Sequence, residues 1–268
     1  MPEAYFVFGL YLLAGAFAGL AAGMLGIGGG LIIVPALTSL FLLQGMPADI
    51  IMHLALATSL ATIVVTSIAS IISHHRHQAV LWFVFWQLTP GILLGASLGG
   101  WLAGQMSGDW LKPVFGLFEL TVAIYMLTDK TVTQHRSLPG IIPMSSAGTV
   151  IGGLSAIVGI GGGTLTVPYL CWNSVQIRNA IATSAACGLP IALAGAMAYM
   201  LTGWQQPGLP ANTLGYIHLP ALLGIILSSV LFAPLGARLT HRLPVKIIKK
   251  IFAVFLLAVA FKLLVTEF

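Results

Sequence analysis

The sequence predicts an all-α polytopic membrane protein of about eight to ten helices, arranged as two inverted-topology repeats. Three observations predict this fold. Of 268 residues, 58% are hydrophobic and only 6% are charged, whereas a soluble domain carries roughly 25% charged residues. Ten apolar stretches follow one another along the chain, and a glycine-rich motif occurs twice. This composition excludes a soluble enzyme, a nucleic-acid-binding module and a disordered chain.

Six apolar stretches are long enough to cross a bilayer as helices, which takes about 20 residues. They are 50–73, 79–104, 110–128, 177–202, 214–240 and 245–266. The other four stretches form two pairs, 4–25 with 31–45 and 139–158 with 164–175, and a glycine cluster interrupts each pair. We expect each pair to form a helical hairpin that is broken at its glycines. Glycines spaced by four, as at Gly91, Gly95 and Gly99, predict close contacts between helices.

The glycine clusters belong to an internal repeat. The segment GIGGGLIIVP at 26–35 matches GIGGGTLTVP at 159–168 with seven identities in ten, and an Ala-Thr-Ser sequence follows in each half. A polar stretch near 128–139 separates the two copies. We therefore predict a first repeat over 1–130 and a second over 137–268 within a single integrated membrane domain.

The placement of Lys and Arg favours inverted over parallel repeats. If each glycine-broken pair crossed the membrane once, seven basic residues would lie on one side and four on the other. If each pair is a hairpin whose ends share a side, nine lie on one side and only Lys112 and Lys262 lie opposite, which fits the positive-inside rule better. The acidic residues that gather with these two lysines are Glu3, Asp49, Asp109 and Glu267. We expect a protein of the cell inner membrane with both termini on the non-cytoplasmic side.

The two glycine clusters are the candidate substrate site. A break at each cluster exposes the first N–H groups of the following helix, and such groups attract anions. Broken helices at matching positions of inverted halves are typical of a site at the membrane midplane. The predicted substrate-binding residues are Gly28, Gly29, Gly30, Thr58, Ser59, Gly161, Gly162, Gly163, Thr164, Thr183 and Ser184. The alternatives are that the glycines only permit tight packing and that the hydroxyls bond back to their own helices.

Three ionisable residues are further candidates. His53 and Arg178 align with each other in the repeat, so each is a candidate gate or anion-attracting group, although Arg178 also fits a positive-inside anchor. Glu119 lies near the middle of a predicted span and is a candidate for proton coupling or for a pairing that holds the bundle.

The adjacent residues of the run His74–His77 cannot converge on one ion, so we expect no metal site. We also expect no cofactor and no nucleic-acid partner. The sequence has one acid in the middle of a predicted helix and has no HExxH motif, which argues against an intramembrane enzyme.

The doubled GIGGGxxxVP motif, each copy followed by an Ala-Thr-Ser helix, resembles the sulfite exporter TauE/SafE family of membrane transporters. The resemblance covers nearly the whole chain. It implies a secondary transporter of small sulfur-containing anions, which would export sulfite or an organosulfonate such as sulfoacetate by alternating access. The alternatives are an anion channel and an importer of thiosulfate or another small organic anion.

The two motif copies differ in their hydroxyl content. Where the first copy has Leu31 and Ile33, the second has Thr164 and Thr166. Any site would then be asymmetric, with more hydroxyls from the second half. Neutral donors of this kind can hold an anion and release it, whereas a buried unpaired Lys or Arg would be costly.

Overall fold

The computed structural model describes residues 2–25, 29–128, 138–240 and 245–265, which form ten helices and one short pair of strands. The elements are α1 (Pro2–Leu25), α2 (Gly30–Leu43), α3 (Ala48–Arg76), α4 (Trp82–Gln105), α5 (Gly108–Thr128), α6 (Ile141–Ile157), α7 (Gly163–Trp172), α8 (Ile177–Thr202), β1 (Thr213–Leu214), β2 (Ile217–His218), α9 (Leu219–Thr240) and α10 (Val245–Val265). The predicted all-α membrane fold is confirmed.

Six of the described helices are long and apolar enough to cross a membrane, namely α1, α3, α4, α5, α8 and α9. The chain is therefore a multi-pass membrane protein. The sequence prediction differs in three details. Helix α10, in the stretch 245–266 that the sequence predicted to cross the bilayer, is not among these six described helices. Helix α1 is long enough to span by itself, although the sequence placed it in an interrupted pair. The stretch 214–240 is not helical from its start, because Gly215 has a φ of +55° and turns the chain between the strands β1 and β2.

Each glycine-broken pair folds back on itself. The phenol of Tyr11, near the middle of α1, exchanges hydrogen bonds of 3.2 and 2.8 Å with the Gln44 side chain, which ends α2. A β-carbon placed on Gly29, just before α2, would lie 3.7 Å from the β-carbon of Ala18 in α1. Helix α2 therefore runs back along α1. In the second pair, the Tyr169 hydroxyl of α7 lies 3.3 Å from the Met144 sulfur at the start of α6, so α7 also returns.

The second glycine break has a helix-ending motif that requires glycine. The N–H of Gly159 bonds to Ala156 O and the N–H of Ile160 bonds to Ser155 O, which is the bond pair of a Schellman motif. Gly159 has a φ of +65°, where a β-carbon costs about 1–2 kcal/mol. Helix α6 therefore ends at this glycine, and α7 begins four residues later at Gly163.

The two halves interlock through reciprocal helix contacts. Helix α6 of the second half packs on α4 of the first, and α1 of the first packs on α9 of the second. Small residues permit both contacts: Gly91, Gly95 and Gly99 of α4 lie against the α6 backbone, as the sequence spacing predicted. In the α1–α9 contact, a β-carbon on Gly19 would lie 2.6 Å from Ser229 O.

Corresponding helices of the two halves run in opposite directions where they meet. In the α3–α8 contact, Leu60 lies against Gly195 and Ser67 lies against Gly188, so one residue number rises as the other falls. In the α5–α10 contact, Gly116 near the start of α5 lies against Leu264 near the end of α10. We call the end of the bundle with the starts of α1, α3 and α5 the upper end, and the opposite end the lower end. The helix directions agree with an inverted repeat, which stays a prediction.

Candidate functional site

The two glycine breaks meet inside the bundle. A β-carbon on Gly30 would lie 2.8 Å from Gly159 O and 2.9 Å from the α-carbon of Ile160, so the first break touches the second through bare backbone. Gly29, Gly30 and the residues 159–162 are all buried. The predicted site residue Gly28 lies outside the described residues. The structure thus brings together the parts of the two predicted motifs that it describes.

Helix α3 of the first half supports the break of the second half. The Ser59 hydroxyl donates a 2.7 Å hydrogen bond to Gly159 O. Leu56 lies against Gly159, where a β-carbon would be 3.0 Å from the Leu56 α-carbon. Ser59 was predicted as a substrate donor, but in this conformation its proton is directed at the protein backbone. Its contribution to binding stays a prediction.

The hydroxyls of Thr58 and Thr183 each accept a hydrogen bond from the residue directly before a helix of the other predicted repeat. The Thr58 hydroxyl of α3 accepts a 3.0 Å bond from the N–H of His218, directly before α9. The Thr183 hydroxyl of α8 accepts a 3.0 Å bond from the N–H of Leu81, directly before α4. Helices α4 and α9 correspond in the predicted repeat, and each has such a bond at its start. The paired Ala-Thr-Ser sequences therefore have a structural role that the sequence did not reveal.

We expect Thr58→Val and Thr183→Val each to destabilise the protein by about 1–3 kcal/mol. Valine has the shape of threonine but leaves the N–H of His218 or Leu81 without its partner, and an unpaired buried N–H costs about that much. The replacement by serine keeps the hydroxyl and is the control. Unfolding midpoints in detergent measure the effect. If the valine variants unfolded normally yet lost anion binding, the hydroxyls would serve the substrate instead.

The start of α7 carries hydroxyls that have no partner in the described part of the chain. An α-helix leaves its first N–H groups without intrahelical acceptors, and the first such bond here joins Thr166 N to Gly162 O. Within the described part of the chain, the hydroxyls of Thr164 and Thr166 have no hydrogen-bond partner although both oxygens are buried. Thr166 is fully buried, and its oxygen would lie 3.3 Å from a β-carbon on Gly162. Unpaired donors thus collect beside the second break.

The remaining predicted hydroxyl and the first break do not share this arrangement. The Ser184 hydroxyl donates 3.1 Å to Ile181 O of its own helix, which is the alternative that the sequence left open. The residues Leu31 and Ile33 of α2 are buried and apolar where α7 has threonines. The starts of α2 and α7 therefore differ in their side chains, and an asymmetric substrate site stays a prediction.

His53 lies beneath the loop at the upper end of the bundle. Its Nε2 donates a 2.9 Å bond to Met106 O, and its Nδ1 has no hydrogen-bond partner among the described residues. The imidazole stacks on the Tyr216 ring at 4.7 Å and 24°. Tyr216 is only 3% exposed, because the loop 203–218 inserts it into the bundle. His53 and Tyr216 are therefore packed against each other at this end.

Arg178 lies at the lower end, so it does not meet His53. Its side chain is exposed, and one guanidinium nitrogen donates 3.4 Å to His77 O at the end of α3. Both a gate and a positive-inside anchor fit this position. The two residues that align in the repeat thus stand at opposite ends of the bundle.

Glu119 is a fully buried acid in the middle of α5. Neither of its carboxyl oxygens has a hydrogen-bond partner among the described residues. One of the two roles considered for Glu119 was a pairing that holds the bundle together. The described residues offer no partner for such a pairing. An ionised carboxylate without a partner is costly at membrane depth, and such a group is a functional candidate.

Two residues near these sites did not stand out in the sequence, and a third had only an indirect signal. Ser155 of α6 is fully buried next to the second break, and its hydroxyl has no partner among the described residues. Tyr216 stacks on His53 at the upper end. Nothing in the sequence pairs Tyr216 with His53, because the loop joins them across the two halves. Thr166 had a signal, since it replaces Ile33 in the aligned motif.

The chain is similar to probable membrane transporter proteins along nearly its whole length. The family model described as sulfite exporter TauE/SafE matches residues 11–263. A probable membrane transporter protein of Haemophilus influenzae is 39% identical over 253 residues, which cover 94% of this chain and 96% of that protein. A probable membrane transporter protein of Methanocaldococcus jannaschii is 29% identical over 88% of each chain. No solved structure matches significantly.

Proposed function

Because the chain belongs to the sulfite exporter TauE/SafE family of membrane transporters, we propose that it carries a small sulfur-containing oxyanion, sulfite or an organosulfonate, across the cell inner membrane. The family and the names of the relatives indicate a membrane transporter rather than an enzyme. A small-molecule substrate and a lipid environment follow from that. The chemical class of the substrate and the direction of transport are the parts that we propose.

The unpartnered donors at the start of α7 are the observation that supports this substrate class. The first N–H groups of α7, which have no intrahelical acceptor, lie beside the second break. The hydroxyls of Thr164 and Thr166, which have no partner among the described residues, belong to the same turn. A helix N-terminus with unpaired N–H groups favours negative charge. These donors are neutral, so they can bind a mono- or dianion without the cost of a buried lysine. One anion site in the second half follows, because the first break offers apolar side chains.

Alternating access of two inverted halves is the proposed transport mechanism. The opposite directions of α3 and α8 support the inversion, and the buried position of the breaks supports an occluded state. His53 with Tyr216 would gate the upper end. At the lower end, Arg178 would either attract the anion or serve as a positive-inside anchor. By the positive-inside rule, Arg76 and Arg178 mark the lower end as cytoplasmic, so the upper end would be non-cytoplasmic. A cell that is negative inside would then drive anion export.

Direct binding to the purified protein tests the substrate class. Thermal shift or calorimetry in detergent would compare sulfite, sulfate, thiosulfate, sulfoacetate, taurine and acetate. We expect saturable binding of one sulfur oxyanion and none of acetate. The control is the double variant Gly29→Leu with Gly162→Leu, used only after it is shown to fold. Binding of no sulfur anion, or binding that the variant retains, would contradict the proposal.

Proton coupling through Glu119 is a second mode that would permit import. If Glu119 carries the proton, an inward proton gradient should accelerate anion uptake into proteoliposomes. Glu119→Gln should abolish that acceleration and retain exchange of anion for anion, because glutamine keeps the shape of the protonated acid. The matched control is Asp109→Asn, an exposed acid of the same helix. A glutamine variant that still responded to the gradient would assign Glu119 a structural role.

A further inference from the structure

A groove at the upper end of the bundle has the composition of an amphipathic binding site. It has a volume of about 270 Å³ and lies between α1, α2 and α10. Its walls include Phe17 of α1, Pro35 and Ser39 of α2, and Phe255 and Lys262 of α10. None of these residues belongs to the glycine breaks or to the gate at His53.

The walls of the groove face the surroundings of the bundle. The Phe17 side chain is 54% exposed, and its ring meets the Phe255 ring at 5.9 Å. Val259 and Leu263 of α10 continue the apolar wall. In a membrane protein, exposed aromatic and aliphatic side chains along a spanning helix contact lipid chains. A small hydrated anion would lose its water against such walls at a high cost.

One cation stands at the mouth of this apolar groove. Lys262 is exposed, and its ammonium donates a 3.3 Å bond to the Ser39 hydroxyl, which links α10 to α2. A lysine has three donors, so two stay available. No carboxylate of the described residues forms a salt bridge with it. Lys262 also lies at the acid-bearing upper end, where the positive-inside rule disfavours lysine.

We propose that this groove binds an anionic phospholipid of the leaflet at the upper end, with the phosphate on Lys262 and Ser39 and an acyl chain along Phe17 and Phe255. The charge of the ammonium complements the phosphate, and the wall below complements the chain. Helix α2 has only 14 residues and does not span the bilayer. The lipid would therefore fill the space between this short helix and α10 and would stabilise the first hairpin.

Thermal unfolding of the full chain with added lipid tests this site. Phosphatidylglycerol and phosphatidylcholine with identical acyl chains would be titrated into the protein in detergent. We expect phosphatidylglycerol to raise the unfolding midpoint more, and in a saturable manner. Lys262→Gln should weaken the apparent affinity for phosphatidylglycerol about fivefold, which is the attraction of one lysine for an anionic headgroup. Lys262→Arg should retain it.

A matched control separates this site from general attraction to anionic lipid. Lys250→Gln removes an exposed lysine from the same helix near the lower end, and it should leave the phosphatidylglycerol effect intact. Glycerol phosphate, which has the headgroup chemistry without chains, should give no stabilisation. Two results would overturn the proposal: equal stabilisation by glycerol phosphate, which indicates a free-anion site, or an unchanged lipid effect in Lys262→Gln. If that variant does not fold, Ser39→Ala gives the same comparison, and native mass spectrometry should then detect less retained phosphatidylglycerol.

Discussion

Replacing Thr166 by valine is expected to weaken anion binding and transport about tenfold to a hundredfold while leaving the fold as stable as before. The Thr166 hydroxyl is buried and has no partner in the described structure, so its loss breaks no internal hydrogen bond. A hydrogen bond to a charged ligand contributes about 1.5–3 kcal/mol, which corresponds to this loss of affinity. Calorimetry with sulfite and uptake into proteoliposomes measure the effect.

Two further variants make the Thr166 experiment specific. Thr166→Ser keeps the hydroxyl and should retain most of the binding. Thr89→Val is the matched control, because the buried Thr89 hydroxyl donates 2.7 Å to Phe85 O of its own helix, away from the breaks. That control should leave anion affinity unchanged. An affinity for Thr166→Val within twofold of the unmodified protein would remove the start of α7 from the substrate site.

Gly159→Ala is expected to destabilise the protein by about 2–5 kcal/mol and to abolish transport. Two costs add at this position. Its φ of +65° costs an alanine about 1–2 kcal/mol, and the new methyl group would approach the Leu56 α-carbon to 3.0 Å, an overpacking worth about 1–3 kcal/mol. The shift would also disturb the bond from Ser59 to Gly159 O.

Gly45→Ala separates the two costs of the Gly159 substitution. Gly45 has a φ of +68°, but a β-carbon there meets no atom within 4 Å among the described residues. The Gly45→Ala variant should therefore lose only the stability that the backbone conformation costs, about 1–2 kcal/mol. Unfolding midpoints of both variants in the same detergent give the difference. Equal losses of stability in the two variants would mean that α3 moves at little cost to accommodate the methyl group at Gly159. The contact between α3 and the second break would then not fix the site.

The sequence predicted most of the fold because its signals are local. Helix existence follows from runs of apolar residues, and all ten stretches became helices with ends within a few residues of those predicted, apart from the start of α9. The glycine spacing of α4 predicted its close contact with another helix, since only small residues allow backbones to approach. The strands of 213–218 were missed because Leu214, Tyr216 and Ile217 are apolar and also fit the start of a membrane helix.

The candidate site was only partly accessible from the sequence. The repeat identified both glycine breaks, and the structure brings the described parts of them into contact. The roles of Thr58 and Thr183 were not accessible, because each hydroxyl accepts from an N–H more than one hundred residues away in the chain. The unpaired state of Thr166 was likewise hidden, since a sequence does not specify which hydroxyls find acceptors.

The sequence by itself determined a multi-pass helical membrane protein, two repeated glycine breaks and an excess of hydroxyls in the second copy. Composition and periodicity suffice for these features, because each depends on neighbouring residues and on the thickness of the bilayer. The tertiary structure alone decided that Gly30 meets Gly159, that His53 stacks on Tyr216, and that the Thr166 hydroxyl has no partner among the described residues. These are contacts between distant segments, and packing selects them only when the whole bundle has formed.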